Sequence, residues 1–438
     1  MRKVDVAVVG GGIAGLVAAN DLARAGKSVV VFEKSAQFGG RAITVRKKGA
    51  LFNLGGHALY LGGSADTIFQ ELGLKLEGGS PSRRVSVIWK NRVMPLSRFL
   101  FGRDMSWTGR IELLRMLAKL GRIDTDNGEM TSISVREWLE REMRDPMVRN
   151  VFYALIRTGT FTQAPDLQYI GPALRQVQRS FRKQGVLYVQ GGWQSIIDQL
   201  REKVVRAGAI VAGSAGVEAI GHDGGEVCRL HLSNGETMEI GYVISAVPLA
   251  ETCRLVQDAG RTSLQVWKDQ ARAVSVACLD LCLRRLPVPN RNVVLGIDQP
   301  VFFSNQSKAT PSLAEDGSWV MHLIKYNGYN GAGESDPKKD EAFLEQMMDR
   351  IQPGWRKEVV ARQFLPNMTV VGDYMHIDRI DKTPGPVVPE IRGLYVAGDW
   401  ASHGEVLVDA AAASGRRAAQ RLLQDMQDGA RVYSAQAG

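Results

Sequence analysis

Apolar and polar positions alternate with two different periods along this chain, and the change of period marks its elements. The first apolar run, from Val4 to Val9, leads straight into Gly10-Gly11-Gly12-Ile13-Ala14-Gly15. An alanine-rich stretch then predicts a helix from about Ile13, and Ser28-Val29-Val30-Val31-Phe32 predicts a second strand that ends at Glu33. Further on, Tyr188 to Trp193 precedes a helix to Ala207, a strand through Val217-Glu218-Ala219-Ile220 and another at Val243 to Pro248. Near the C-terminus, Gly393 to Asp399 is a short apolar run before a helix from about Val408 to Leu423. Residues 79–185 are mostly helical in pattern, with Ser134 and Glu137 spaced as a capping box. Residues 261–385 carry strand-like runs at Ala273 to Leu283 and Trp319 to Lys325, and a helical pattern from Asp340 to Ile351.

The glycine cluster is the first candidate for chemistry. In a strand–turn–helix context, Gly10 suits a tight turn, Gly12 lets backbone approach a diphosphate, and Gly15 lets helix pack closely on strand. The helix start at Ile13 and Ala14 turns unbonded N–H groups and the positive end of the dipole toward the ligand, so phosphate charge is held without a lysine. Glu33 follows at the distance where an acidic side chain accepts hydrogen bonds from a ribose, about twenty residues on, and it repels a 2′-phosphate. Lys34, beside it, belongs to the same candidate site.

The next segments, Gly39-Gly40-Arg41-Ala42-Ile43-Thr44 and Asn53-Leu54-Gly55-Gly56-His57, narrow the nucleotide. The run from Val4 to Gly56 resembles the N-terminus of the flavin-containing amine oxidase and phytoene desaturase superfamily. The Tyr188–Pro248 block and the Gly393–Asp399 block with its following helix are similar to two further motifs of that superfamily, in the same order. The resemblance implies FAD. Arg41, after Gly40, would reach its pyrophosphate, since a guanidinium forks onto phosphate oxygens. Gly55 and Gly56 would lie against the isoalloxazine, Val217 would hold adenine through its backbone, and Asp399 after Gly398 would sit near the ribityl and pyrophosphate groups. The helix N-terminus at Val408 would face the pyrimidine edge and stabilise the charge that develops there on reduction.

The same resemblance implies an α/β fold: a Rossmann-like FAD-binding domain, a parallel sheet flanked by helices, assembled from residues 1–78, 186–260 and 386–428. An α+β substrate domain would be inserted as 79–185 and 261–385, with 429–438 as a flexible tail. A chain of 438 residues agrees with more than one core.

Composition adds exclusions. The four cysteines, Cys228, Cys253, Cys278 and Cys282, do not form a disulfide framework in so long a chain, and no metal site is expected. No cysteine lies beyond Cys282, so the covalent tether some amine oxidases place there is not expected, and FAD is expected to be non-covalent. No apolar stretch reaches the roughly eighteen residues of a membrane span, and the expected location is the cytoplasm. The formal net charge of +9 is spread without nucleic-acid-binding spacing, so no nucleic acid partner is expected. One basic stretch, Trp107 to Arg122, places Ile111, Leu114 and Leu117 at helical spacing. It reads as a surface helix whose apolar stripe faces the core, with peripheral contact to a bilayer as the alternative.

Catalysis follows from the flavin, which accepts a hydride at N5 from a substrate C–H bond held in a dry pocket. The segment Ala273-Val274-Ser275-Val276-Ala277-Cys278 lacks the lysine common in monoamine and polyamine oxidases, and Leu407 stands where those enzymes carry an aromatic residue. Both departures favour dehydrogenation of a hydrophobic small molecule, as in the desaturase branch. An amine oxidase making imine and peroxide, a redox-silent isomerase and a non-catalytic flavin-binding protein are the alternatives. Lys308, Lys325 and Tyr326 remain able to enter the pocket. His57 and Glu405, with His403, are the polar candidates near the ring.

Overall fold

The computed structural model describes residues 4–329, 335–379 and 383–436, with side chains to 428 at the C-terminal end. Its first sheet is parallel throughout. Five strands lie in the order Ile210–Ala212, Val29–Phe32, Val6–Val9, Val243–Ser245 and Leu394–Val396. Val29–Phe32 and Val6–Val9 are buried at every position, as expected of parallel strands covered on both faces. One face packs against the helices Ile13–Arg24, Gln194–Arg206 and Val408–Gln436. The other is covered by an antiparallel three-stranded meander, Val217–Asp223, Glu226–Leu232 and Thr237–Glu239, and by helices Leu249–Leu255 and Ser263–Gln270. The fold is therefore α/β with a parallel sheet between helices.

A second, mixed sheet of seven strands runs in the order Val359–Val371, Val274–Leu283, Trp319–Tyr329, Val301–Asn305, Val293–Gly296, Val85–Trp89 and Arg92–Pro95. The last two strands come from the stretch whose pattern is mostly helical. They form a hairpin through Lys90 and Asn91, both at positive φ (48° and 60°), the handedness two-residue hairpin turns need. Alternation along Val274–Leu283 divides its side chains. Ala277, Leu279, Leu281 and Leu283 meet the helix Pro337–Ile351, while Val276 and Cys278 face the opposite way.

One local expectation holds and two change. Ser134 caps the helix Val135–Glu142 by accepting from the Glu137 N–H, as its spacing predicts. The final helix, however, continues to Gln436, so the segment from 429 onward is helical rather than a tail as far as 436. Its alanine, arginine and glutamine content sustains helix, and only Gly429 opposes it. Residues 437–438 lie outside the described residues. In the helix Trp107–Leu120 the core face is Gly109, Leu113, Met116 and Leu120, while Ile111 and Leu114 are exposed, so the predicted stripe does not face the core.

Candidate functional site

The glycine loop opens at the C-terminal end of Val6–Val9. A Cβ on Gly15 would fall 2.0 Å from the Gly10 carbonyl oxygen, so this glycine permits the helix to sit on the strand. Gly10 has φ +109°, and a Cβ there would press on the Ala246 carbonyl at 2.9 Å. Gly12 differs. A Cβ on it would meet nothing nearer than the Gly39 carbonyl at 3.9 Å, and the space in front of it is open. No side chain caps the helix that begins at Ile13, so the first-turn N–H groups of Ile13 and Ala14 have no capping acceptor. An open hollow at an uncapped helix start suits a diphosphate, and the residues present therefore fit a dinucleotide.

Glu33 closes one side of this hollow. Its carboxylate accepts from the Gly11 N–H at 2.8 Å and the Ser35 N–H at 2.9 Å, which fixes its direction and leaves lone pairs for ribose hydroxyls. The segment before Val217 bonds alongside, with the Ala215 N–H donating to the Glu33 carbonyl at 2.9 Å. Lys34 is exposed next to Gly216. On the other side the Gly39 N–H donates to the Gly11 carbonyl at 2.9 Å, and Gly40 has φ +57° with open space beyond it.

Arg41 and Asp399, far apart in sequence, meet as a two-pronged ion pair. The Asp399 carboxylate also accepts from the Gly372 N–H at 2.6 Å, and Arg41 donates to the Val370 carbonyl at 3.2 Å. Gly372 and Val370 stand at the end of Val359–Val371 in the second sheet. This junction therefore joins the parallel sheet to the seven-stranded one. Gly398 has φ +146° and exchanges hydrogen bonds with Ser414 Oγ at 2.9 and 2.8 Å, which anchors the Asp399 turn on the final helix. Val408 begins that helix behind Leu407, whose φ is +57°.

Gly55 and Gly56 lie against the second sheet. Cβ atoms on them would press on Met368 at 2.9 Å and Ile324 at 3.0 Å. Around this contact Val276, Cys278, Ile324 and Tyr326 form a buried apolar cluster with Phe161, Phe302, Leu365 and Met368. Next to it, within the same sheet, Asp280 accepts from His322 Nδ1 at 2.6 Å, from the Cys278 thiol at 3.0 Å and from Gln363 Nε2 at 3.2 Å. Burial and the neighbouring carboxylate push the Cys278 thiol well above its ordinary range. Spacing along the chain does not reveal this cluster. The available signal was Asp280, a charge inside an otherwise apolar strand.

The polar candidates are held by close partners. His57 places Nδ1 3.2 Å from the Gly55 carbonyl and Nε2 3.0 Å from the Arg41 carbonyl, with its ring edge-on to Trp193. Burial lowers its pKa. Glu405 pairs with Arg417 and accepts from the His403 N–H at 2.9 Å. Lys308 is exposed, and Lys325 turns to the opposite face of the sheet, where it binds Asp340 at 2.6 Å and Asn327 at 2.9 Å. Tyr326 alone of the three enters the apolar cluster.

Known proteins place this arrangement. Residues 13–423 match the family model of the flavin containing amine oxidoreductases. The chain is 24% identical over 414 residues to 4,4'-diapolycopen-4-al dehydrogenase of Metabacillus indicus, covering 81% of this chain and 82% of that one. It is 28% identical over 267 residues to a Mycobacterium tuberculosis protein assigned as a flavin-containing monoamine oxidase, covering 56% of this chain and 57% of that protein, little more than half its length. Among solved structures, an oxidoreductase from Methanosarcina mazei superposes with a TM-score of 0.75 at 19% identity, over 94% of this chain and 99% of that one. Putrescine oxidase bound to putrescine superposes with a TM-score of 0.73 at 18% identity, over 96% and 99%. No helix among the described residues is long and apolar enough to cross a membrane. With a family match that spans most of its length, the chain belongs to the flavin-containing amine oxidoreductases, a family of flavin-dependent oxidoreductases.

Proposed function

We propose that this protein is an FAD-dependent dehydrogenase of a largely apolar small molecule, with the FAD held without a covalent bond. Bound along the glycine loop, the flavin supplies an acceptor for a hydride from a substrate C–H bond. The chain supplies placement. Gly12, Ile13 and Ala14 offer main-chain donors to the diphosphate, Glu33 offers acceptors to the ribose, and Arg41 offers its guanidinium edge to phosphate oxygens. Gly55 and Gly56 let their segment lie close on the second sheet, whose apolar cluster would exclude water from the reacting bond.

The observation that carries this reading is the makeup of that cluster. Val276, Cys278, Ile324, Phe302 and Met368 surround the contact with Gly55 and Gly56, and both lysines in question face elsewhere. Such a wall suits hydrocarbon, and the nearby carboxylate, Asp280, is already engaged by His322, Cys278 and Gln363 rather than free for an ammonium group. The edge-on pair Phe161–Tyr326, with ring centres 6.0 Å apart, favours the second reading, an amine oxidase with aromatic walls.

Anaerobic mixing separates the two. Bleaching of the flavin absorbance by an apolar polyene, with no reduction by a panel of primary and secondary amines, is the expected result. Reduction by an amine, followed by peroxide on admission of oxygen, would overturn it.

A further inference from the structure

We propose that the helix Trp107–Leu120 and the end of the preceding helix, Leu96–Phe101, form a docking surface for an anionic lipid bilayer. This inference does not depend on the substrate reading. Trp107, Ile111 and Leu114 stand along one face of the helix, three and four residues apart, and are 75%, 46% and 65% exposed. Phe101, 73% exposed, extends the same patch from the neighbouring helix. Trp107, Phe101 and Leu114 are the three most exposed large hydrophobic side chains among the described residues, and the opposite face, Leu113, Met116 and Leu120, already fills the core contact. The helix is thus apolar on two sides, and only one side has a partner among the described residues.

The patch is braced rather than loose. Arg110 crosses from the middle of the first turn to donate to the Leu100 carbonyl at 2.8 Å and to the Gly102 carbonyl, on either side of Phe101. Its guanidinium also lies 4.6 Å from the centre of the Trp107 ring. Ser106 caps the helix by accepting from the Gly109 N–H at 2.9 Å, which fixes Trp107 at its start.

Charge around the patch selects the occupant. Arg98, Arg103, Arg115 and Arg122 are exposed and have no ion-pair partner among the described residues. The nearby acids are already committed. Glu112 accepts from the Arg144 and Asp145 N–H groups at 2.8 Å each, Asp104 pairs with Lys90, and Glu142 pairs with Lys119. An apolar centre of Trp, Phe, Leu and Ile inside a rim of free arginines complements an interface whose acyl chains lie behind negative headgroups. A second copy of the chain fits less well, because a two-fold contact through this face would set one basic rim against another.

The test uses the full-length, flavin-loaded protein in co-sedimentation with vesicles of phosphatidylcholine alone or mixed equally with phosphatidylglycerol. Binding to the anionic vesicles only, weakened by added salt, is expected. Trp107→Ser with Leu114→Ser should lower vesicle affinity about tenfold or more. Arg103→Gln with Arg115→Gln should lower it roughly twenty-five-fold, since each cation near an anionic surface contributes about a factor of five. Both variants should keep the flavin spectrum and melting temperature of the parent, which separates loss of docking from loss of fold. Failure of the parent to sediment, equal sedimentation on neutral vesicles, or affinity unchanged in both variants would overturn the proposal. So would a solution dimer that the Trp107/Leu114 variant dissociates.

Discussion

At the glycine loop nearly every group that faces the dinucleotide position is main chain, whereas above Gly55 and Gly56 the facing groups are side chains drawn from distant strands. The loop works through absent Cβ atoms and an uncapped helix start. The apolar cluster works through Val276, Ile324, Phe302 and Met368, which reach one place only because four antiparallel strands pair side by side. A backbone device tolerates little change of sequence and gives one kind of grip. A side-chain wall can be rebuilt residue by residue while the grip stays, which suits a family whose relatives include both 4,4'-diapolycopen-4-al dehydrogenase and an amine oxidase.

The sharpest way to break that contrast lies within the loop itself. Gly15→Ala drives a Cβ into the Gly10 carbonyl, and should destabilise the protein by about 3 kcal/mol or more. Gly12→Ala meets open space, so its melting temperature should stay near the parent's while flavin content falls, because the added methyl would occupy the position proposed for the diphosphate. If both variants lost stability equally, the ligand-facing role of Gly12 would fail. Next in size, Arg41→Lys should weaken flavin binding by roughly ten- to hundredfold, about 1 to 3 kcal/mol, since an ammonium cannot bridge Asp399 and phosphate oxygens in one plane. Titration of flavin into the flavin-free protein measures this directly.

On the side-chain half, Ile324→Ala should leave flavin content intact and lower kcat/KM for an apolar substrate by about tenfold. A variant that lost flavin instead would erase the distinction between grip and wall.

The smallest effect concerns the loop after Val359–Val371. Burial, with Arg379 nearby, lowers the His376 pKa to about 4. A depressed pKa contributes stability that is present above the ordinary value of 6.5 and is lost as pH falls toward the folded value. Asp373 runs the other way. Burial raises it to about 6, so its contribution is fully present below 3.8 and is lost as pH rises through about 6. His376→Asn removes only the first contribution. The parent's margin over this variant in thermal melts should shrink by about 1 kcal/mol over the first pH unit below 6.5. A constant margin would remove the assigned burial effect.

How much of this could be read from the chain depends on range. The glycine loop, Glu33 and Arg41 lie within one local stretch, and their spacing carries their geometry. The joining of Arg41 to Asp399 needs a fold in which residues from opposite ends of the chain meet, and spacing does not contain it. The wall above Gly55 was illegible because its members look like ordinary core; only Asp280 placed a charge in its strand. Trp107–Leu120 shows a different limit. Leu113, Met116 and Leu120 are as regularly spaced as Ile111, Leu114 and Leu117, and nothing local says which set turns inward. Likewise the final helix passed its expected end because alanine-rich sequence carries no stop signal.

Asp399 touches both halves at once, holding the guanidinium of Arg41 with one oxygen pair and the amide of Gly372 as well. A single carboxylate is thus the buckle between the glycine-loop domain and the second sheet. A shift of the long outer strand that carries Val370 tugs on Arg41, so under the proposed binding mode the apolar wall and the cofactor would loosen together.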